Sequence, residues 1–153
     1  MNILRRIFGG LPGTFNDPLF GALTRQDGLW SGQLTWDHTP TPFSLTVHRA
    51  NEVPSQVDRT VFEALRCAYP ALRSSLQGAV HDLWSGARKA HADELPDLGG
   101  SLDLWARLQL QGVGLHEDGH AQLIFGFTDP TLPDGAFIVS VHGTEVEPLE
   151  YLV

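Results

Sequence analysis

The chain has 153 residues, 42% of them hydrophobic and 18% charged, with a formal net charge of −8. That length fits one domain, which on folding buries about 70% of the surface its unfolded form exposes, so neither a disulfide nor a metal is required for stability. The acidic balance lacks the clustered lysine and arginine on which nucleic-acid backbone binding runs, and it suits a protein that stays soluble alone or meets a basic partner.

A single cysteine, Cys67, cannot form an intrachain disulfide. It falls in a helical pattern beside apolar residues and reads as a buried thiol packing as a small hydrophobe. Without a disulfide framework, a reducing, cytoplasmic setting is the expectation. Arg5 and Arg6 are followed by Ile7-Phe8 and then Gly9-Gly10, which is not the apolar core of a signal peptide. No apolar run approaches the ~20 residues that span a bilayer, so no membrane partner is expected.

Residues 1–14 read as an N-terminal arm, broken by Gly9-Gly10-Leu11-Pro12-Gly13. Residues 15–153 read as one α+β domain. A first strand is expected over 19–25 and a second over 29–36. Gln26-Asp27-Gly28 between them fits a three-residue type I turn with a glycine bulge, pairing Arg25 with Leu29 and Thr24 with Trp30. Phe20, Trp30, Leu34 and Trp36 then share a buried face. A third strand over 43–48 points Phe43, Leu45 and Val47 one way and Ser44, Thr46 and His48 the other.

The period changes at Ser55. Val57, Val61, Ala64, Leu65, Ala68 and Tyr69, then Leu72, Leu76, Ala79, Val80, Leu83, Trp84 and Ala87, recur at spacings of three and four, which makes one helical stripe. Pro70 divides it, and Tyr69 before the proline is pushed out of the helical region. Two helices, 55–68 and 70–90, are therefore expected. A loop over 93–100 and a helical turn over 102–106 follow. Strands are expected at 107–116, 120–128 and 136–142, with a last strand or tail over 144–153. The fold class is α+β: an antiparallel sheet built from an N-terminal three-strand meander and a C-terminal meander, with two central helices packed on one face.

One string carries the spacing of an enzyme signature. His116-Glu117-Asp118-Gly119-His120 spells H-E-x-x-H, which in metalloproteases lies on a helix so that both histidines face one metal. Here it sits between two alternating strands and contains Asp-Gly, so it reads as a hairpin tip. A three-residue loop, Glu117-Asp118-Gly119, pairs His116 with His120 and Leu115 with Ala121, and puts both histidines on the outer face, their Cβ atoms ~5 Å apart. Two such imidazoles can chelate a metal, but a site needs a third ligand, and exposed turn histidines are the simpler reading. His38, His48, His81, His91 and His142 lie on different elements, and nothing in the sequence gathers them. Ser74-Ser75, Ser85 and Ser140 lack a nucleophile-elbow context, and residues 9–13 lack the lysine of a phosphate loop. Asp93, Glu94 and Asp97 read as a solvated loop. Trp30, Trp36, Trp84 and Trp105 read as core. No catalytic residue, cofactor or resident metal is assigned.

The block Phe15-Asn16-Asp17-Pro18-Leu19-Phe20-Gly21-Ala22-Leu23, followed by Leu29-Trp30-Ser31-Gly32, resembles the opening of a group of small bacterial domains of unknown function. Those start with an F-x-D-P-x-F-G-x-L string and carry W-x-G on the next strand. The resemblance covers about twenty residues, and the rest of the chain only as a strand–helix–strand outline. Such families are often encoded with polymorphic toxins and are thought to include immunity proteins. They have no agreed catalytic residues, so none is carried over; the block itself reads as Asp17-Pro18 opening a strand and Gly21 permitting close packing. The resemblance implies a non-enzymatic protein-binding module, immunity-like, that neutralises a cognate toxin, and the acidic charge suits a basic one. The alternatives are a metal-dependent hydrolase using His116 and His120, and a structural or oligomerising domain in which 144–153 adds to the sheet edge of another copy.

Overall fold

The computed structural model describes residues 13–50 and 52–153. The first strands are β1 (Thr14–Asp17), β2 (Gly21–Gln26), β3 (Leu29–Leu34) and β4 (Phe43–His48). Two helices follow, α1 (Gln56–Ala90) and α2 (Ser101–Trp105). The chain ends in β5 (Leu108–Leu115), β6 (Ala121–Phe127), β7 (Ala136–His142) and β8 (Glu145–Leu152). All eight strands form one sheet in sequence order. Every neighbouring pair is antiparallel except β4 and β5, which run parallel. The fold is thus α+β, two four-strand meanders joined at the centre by a helical crossover. Antiparallel neighbours need only a tight turn, but a parallel pair needs a connection of a dozen residues or more, and the helices provide it.

The helices cover one face of the sheet. Phe43, Leu45, Val47, Val113, Leu115, Leu123, Phe125, Phe137, Val139 and Val141 point towards α1 and are buried. Phe62, Leu65, Leu72, Leu76, Val80 and Trp84 meet them from the helix. The other face has no covering layer among the described residues.

Four expectations change. First, α1 is a single helix of 35 residues with Pro70 inside it. Pro70 is solvent-exposed, so the Arg66 carbonyl it leaves without an N–H donor lies on the wet side. The buried stripe runs on through the proline without a phase break. Tyr69 stays helical, packed on Trp36 with ring centroids 5.2 Å apart. Burial outweighs the local preference of a residue before proline.

Second, the N-terminal meander has four strands rather than three. Of the expected arm, residues 1–12 lie outside the described residues, and Thr14 already belongs to β1. Asp17 closes β1 instead of opening a strand. Its Oδ1 accepts the N–H groups of Leu19 (2.8 Å) and Phe20 (3.0 Å), and its Oδ2 accepts from Arg59 of α1 at 2.7 Å. Gly21 has φ +72° with open space where a Cβ would lie, so the turn needs its left-handed backbone and not close packing.

Third, Gln26 pairs with Leu29 and Arg25 with Trp30, one residue away from the expected register. The hairpin closes in two residues, Asp27 (φ 53°) and Gly28 (φ 78°), both left-handed. That is a type I′ turn, whose twist matches the flanking strands and which Asp-Gly accommodates. Cys67, expected in the core, is exposed. Among the described residues, no helix is long and apolar enough to cross a membrane.

Candidate functional site

The β5–β6 hairpin takes the expected register. Leu115 pairs with Ala121, which leaves Glu117-Asp118-Gly119 as a three-residue loop. His116 N–H donates to the His120 carbonyl (3.1 Å), Gly119 N–H donates to the His116 carbonyl (3.0 Å), and Gly119 has φ +86°. His116 and His120 are therefore neighbours on the uncovered face. Their rings stack at a centroid distance of 4.2 Å and an interplanar angle of 6°.

The sheet adds two histidines that the sequence leaves apart. The ring of His48, at the end of β4, stacks on His116 at 4.0 Å and 17°. The ring of His142, at the end of β7, lies 6.0 Å from His120 at 9°. The result is a row across four adjacent strands, in the order His48, His116, His120, His142. Glu145 of β8 pairs with His142 and ends the row. The parallel β4–β5 pairing, with Val47 opposite Leu115, brings His48 level with His116. Gly114 makes room for them: a Cβ there would meet Thr46 Oγ1 at 3.3 Å, His116 Nε2 at 3.7 Å and His48 Nε2 at 3.8 Å. His116 Nε2 is buried and has no hydrogen-bond partner in the protein.

The electrostatics of the row follow from this crowding. Burial, then the neighbouring His116 and His120, push His48 below the usual imidazole range, against a smaller opposing pull from Glu117. The His120 N–H, donating to Asp118 at 3.2 Å, and the His120 ring beside the same carboxylate hold Asp118 below its ordinary value. Imidazoles stacked face to face direct their ring nitrogens along parallel lines, while metal ligands must converge on one point. Among the described residues, no three His, Cys, Asp or Glu side chains gather in a metal-holding arrangement. His38, His81 and His91 stand elsewhere: His38 stacks on Trp36 and Tyr69, and His91 lies 4.0 Å from Glu94 beyond α1.

Around the row the uncovered face is acidic. Asp27, Glu117 and Asp118 rim an open depression of about 510 Å³ beside His48, His116 and His120. On β8, Glu145, Glu147 and Glu150 pair with His142, Ser140 and Ile138, and all three are exposed on the same face. The described strands contain one arginine or lysine, Arg25, and it points to the helix side with its Trp30 partner and donates to the Ala50 carbonyl. Sequence periodicity placed His48 on a polar face and left the β8 glutamates without an assigned face. Strand order, which periodicity does not encode, decides that they share one face. No protein-family model, no curated protein and no solved structure matches this chain.

Proposed function

We propose that the protein is a non-enzymatic binding module whose uncovered sheet face docks a basic protein, in the manner of an immunity protein occluding a toxin. The observation that carries this reading is the charge of that face. Glu145, Glu147 and Glu150 stand exposed in one line on β8, Asp27, Glu117 and Asp118 rim the histidine row, and no lysine or arginine of the described strands points the same way. A sheet face of one sign favours fast, oriented encounter with a partner of the other sign. The resemblance of residues 15–32 to toxin-associated bacterial domains supports the same reading. The stacked His116 and His120 do not supply the convergent ligand set that the hydrolase alternative requires.

The test is co-expression with the product of the adjacent gene. The reading expects that product to be basic, toxic when expressed alone, and retained by this chain through gel filtration. Glu145→Lys/Glu147→Lys/Glu150→Lys, all at exposed positions, is expected to slow association by about tenfold or more at low salt and to weaken the protection. A neighbour that is neither toxic nor retained, or a triple variant that binds it as fast as wild type, would overturn the proposal.

A further inference from the structure

On the covered side of the sheet, away from the histidine row, the chain encloses a second feature. A cavity of about 310 Å³ opens between the 36–42 loop, the middle of α1, and the α2–β5 junction. That size is at the lower end of what holds a small organic ligand. Its floor is apolar: Leu110 and Phe125 are buried, and Trp105 tilts against Phe125 with centroids 5.1 Å apart. Tyr69 forms another wall, its ring held at 5.0 Å by a stacked His38. Trp105 is only half-buried, unlike Trp30, Trp36 and Trp84, and it lines the cavity.

One charge faces this aromatic space. Arg73 lines the cavity one helical turn after Tyr69, on the same face of α1. The other arginines of α1 are paired with carboxylates: Arg59 with Asp17, Arg66 with Glu63 and Arg88 with Asp97. Arg73 has no carboxylate within 4.0 Å among the described residues. Burial pushes the Tyr69 phenol up to about 12, against a smaller pull from Arg73, so the hydroxyl stays protonated and is available as a donor.

We infer that this cavity is a binding site for a small aromatic carboxylate, whose ring lies between Trp105 and Tyr69 and whose carboxylate is taken by the Arg73 guanidinium. A guanidinium fork matches a carboxylate with two parallel hydrogen bonds, and the apolar walls exclude water from the ring. The site is separate from the uncovered face, so it stands or falls independently of the protein-binding role.

Titration of the full chain with 2-naphthoate and with neutral 2-naphthamide, followed by calorimetry and ligand-observed NMR, tests it. The expected result is one equivalent of naphthoate bound with Kd of about 1 mM or tighter. The amide is expected to bind roughly tenfold or more weakly, the worth of a charge-assisted hydrogen bond. Arg73→Gln, at an exposed position and so expected to fold, should bring naphthoate down to the level of the amide and leave the amide unchanged. Trp105→Leu should weaken both. Equal affinity for acid and amide, unchanged naphthoate binding in Arg73→Gln, or no binding of naphthoate up to about 5 mM would overturn the inference.

Discussion

Asp17 has a side chain fully removed from solvent, and its two carboxylate oxygens serve two different parts of the fold. It holds the β1–β2 turn through the Leu19 and Phe20 N–H groups and docks α1 through Arg59, whose side chain is 23% exposed. Removing one partner of a buried ion pair leaves the other charge uncompensated, though the exposure of Arg59 softens that loss. Asp17→Ala is expected to lower stability by about 2–4 kcal/mol, read as a shift of the urea midpoint at constant slope. Asp17→Asn keeps the turn acceptor and should lose less; equal losses would show that the turn hydrogen bonds contribute nothing and that the whole loss comes from the Arg59 pair. His48 gives a pH prediction. Its folded pKa is lowered, so the unfolded chain binds more protons than the folded one. Stability is then complete above the unfolded value of about 6.5 and declines as pH falls from there towards the lowered folded value. His48→Gln should flatten the stability profile between about pH 7 and 5, and an unchanged profile would contradict the assignment. Half of the histidine row was legible. Side-chain alternation around Asp118-Gly119 placed His116 beside His120, because only one loop length buries both Leu115 and Ala121. His48 and His142 carry no such local constraint, since their neighbours come from strands far away in sequence.

At the scale of elements, α1 shows two local rules in conflict. The apolar stripe from Phe62 through Leu72 to Trp84 asks for one helix, and Pro70 asks for two. The stripe wins because Phe62, Leu65, Leu72, Leu76 and Trp84 are all buried, while the carbonyl orphaned by Pro70 faces water. Proline in a helix interior costs about 3 kcal/mol relative to alanine, less where the orphaned group is hydrated. Pro70→Ala should therefore stabilise the protein by about 1–2 kcal/mol, a rise of roughly 3–6 °C in melting temperature for a chain of this size. A fall would mean that the packing of α1 on the sheet depends on the proline. The hairpins separate in the same way. In β5–β6 a long apolar alternation decides the register. In β2–β3, Ala22 and Leu23 are too short a pattern to choose between a two-residue and a three-residue turn, so the backbone preference of Asp27-Gly28 decides it. The parallel β4–β5 pair was not legible, because a strand reads the same in either direction.

For the whole molecule, an open eight-stranded sheet has two edges, and an unpaired edge is a template for another chain. The β8 edge carries exposed apolar residues, Leu149, Leu152 and Val153, which would favour adding a strand from a second copy. Three features oppose it. Pro148 has no N–H to donate, and it sits where the register with β7 shifts between Ile138 and Val139, so the edge is locally broken. Glu145, Glu147 and Glu150 alternate along the same strand, so two copies paired edge to edge would bring carboxylates opposite carboxylates. The net charge of −8 adds a general repulsion between copies. The protein is therefore expected to sediment as a monomer at about 100 μM in physiological salt, where charges more than ~8 Å apart are screened but adjacent carboxylates still repel. Pro148→Val combined with Glu147→Thr restores an N–H, raises strand propensity and removes one of the opposed charges, and should produce a concentration-dependent dimer in the same experiment. A wild-type dimer at low micromolar concentration would instead favour the oligomerising role for residues 144–153. It would also remove β8, with its glutamates, from the surface open to a basic partner.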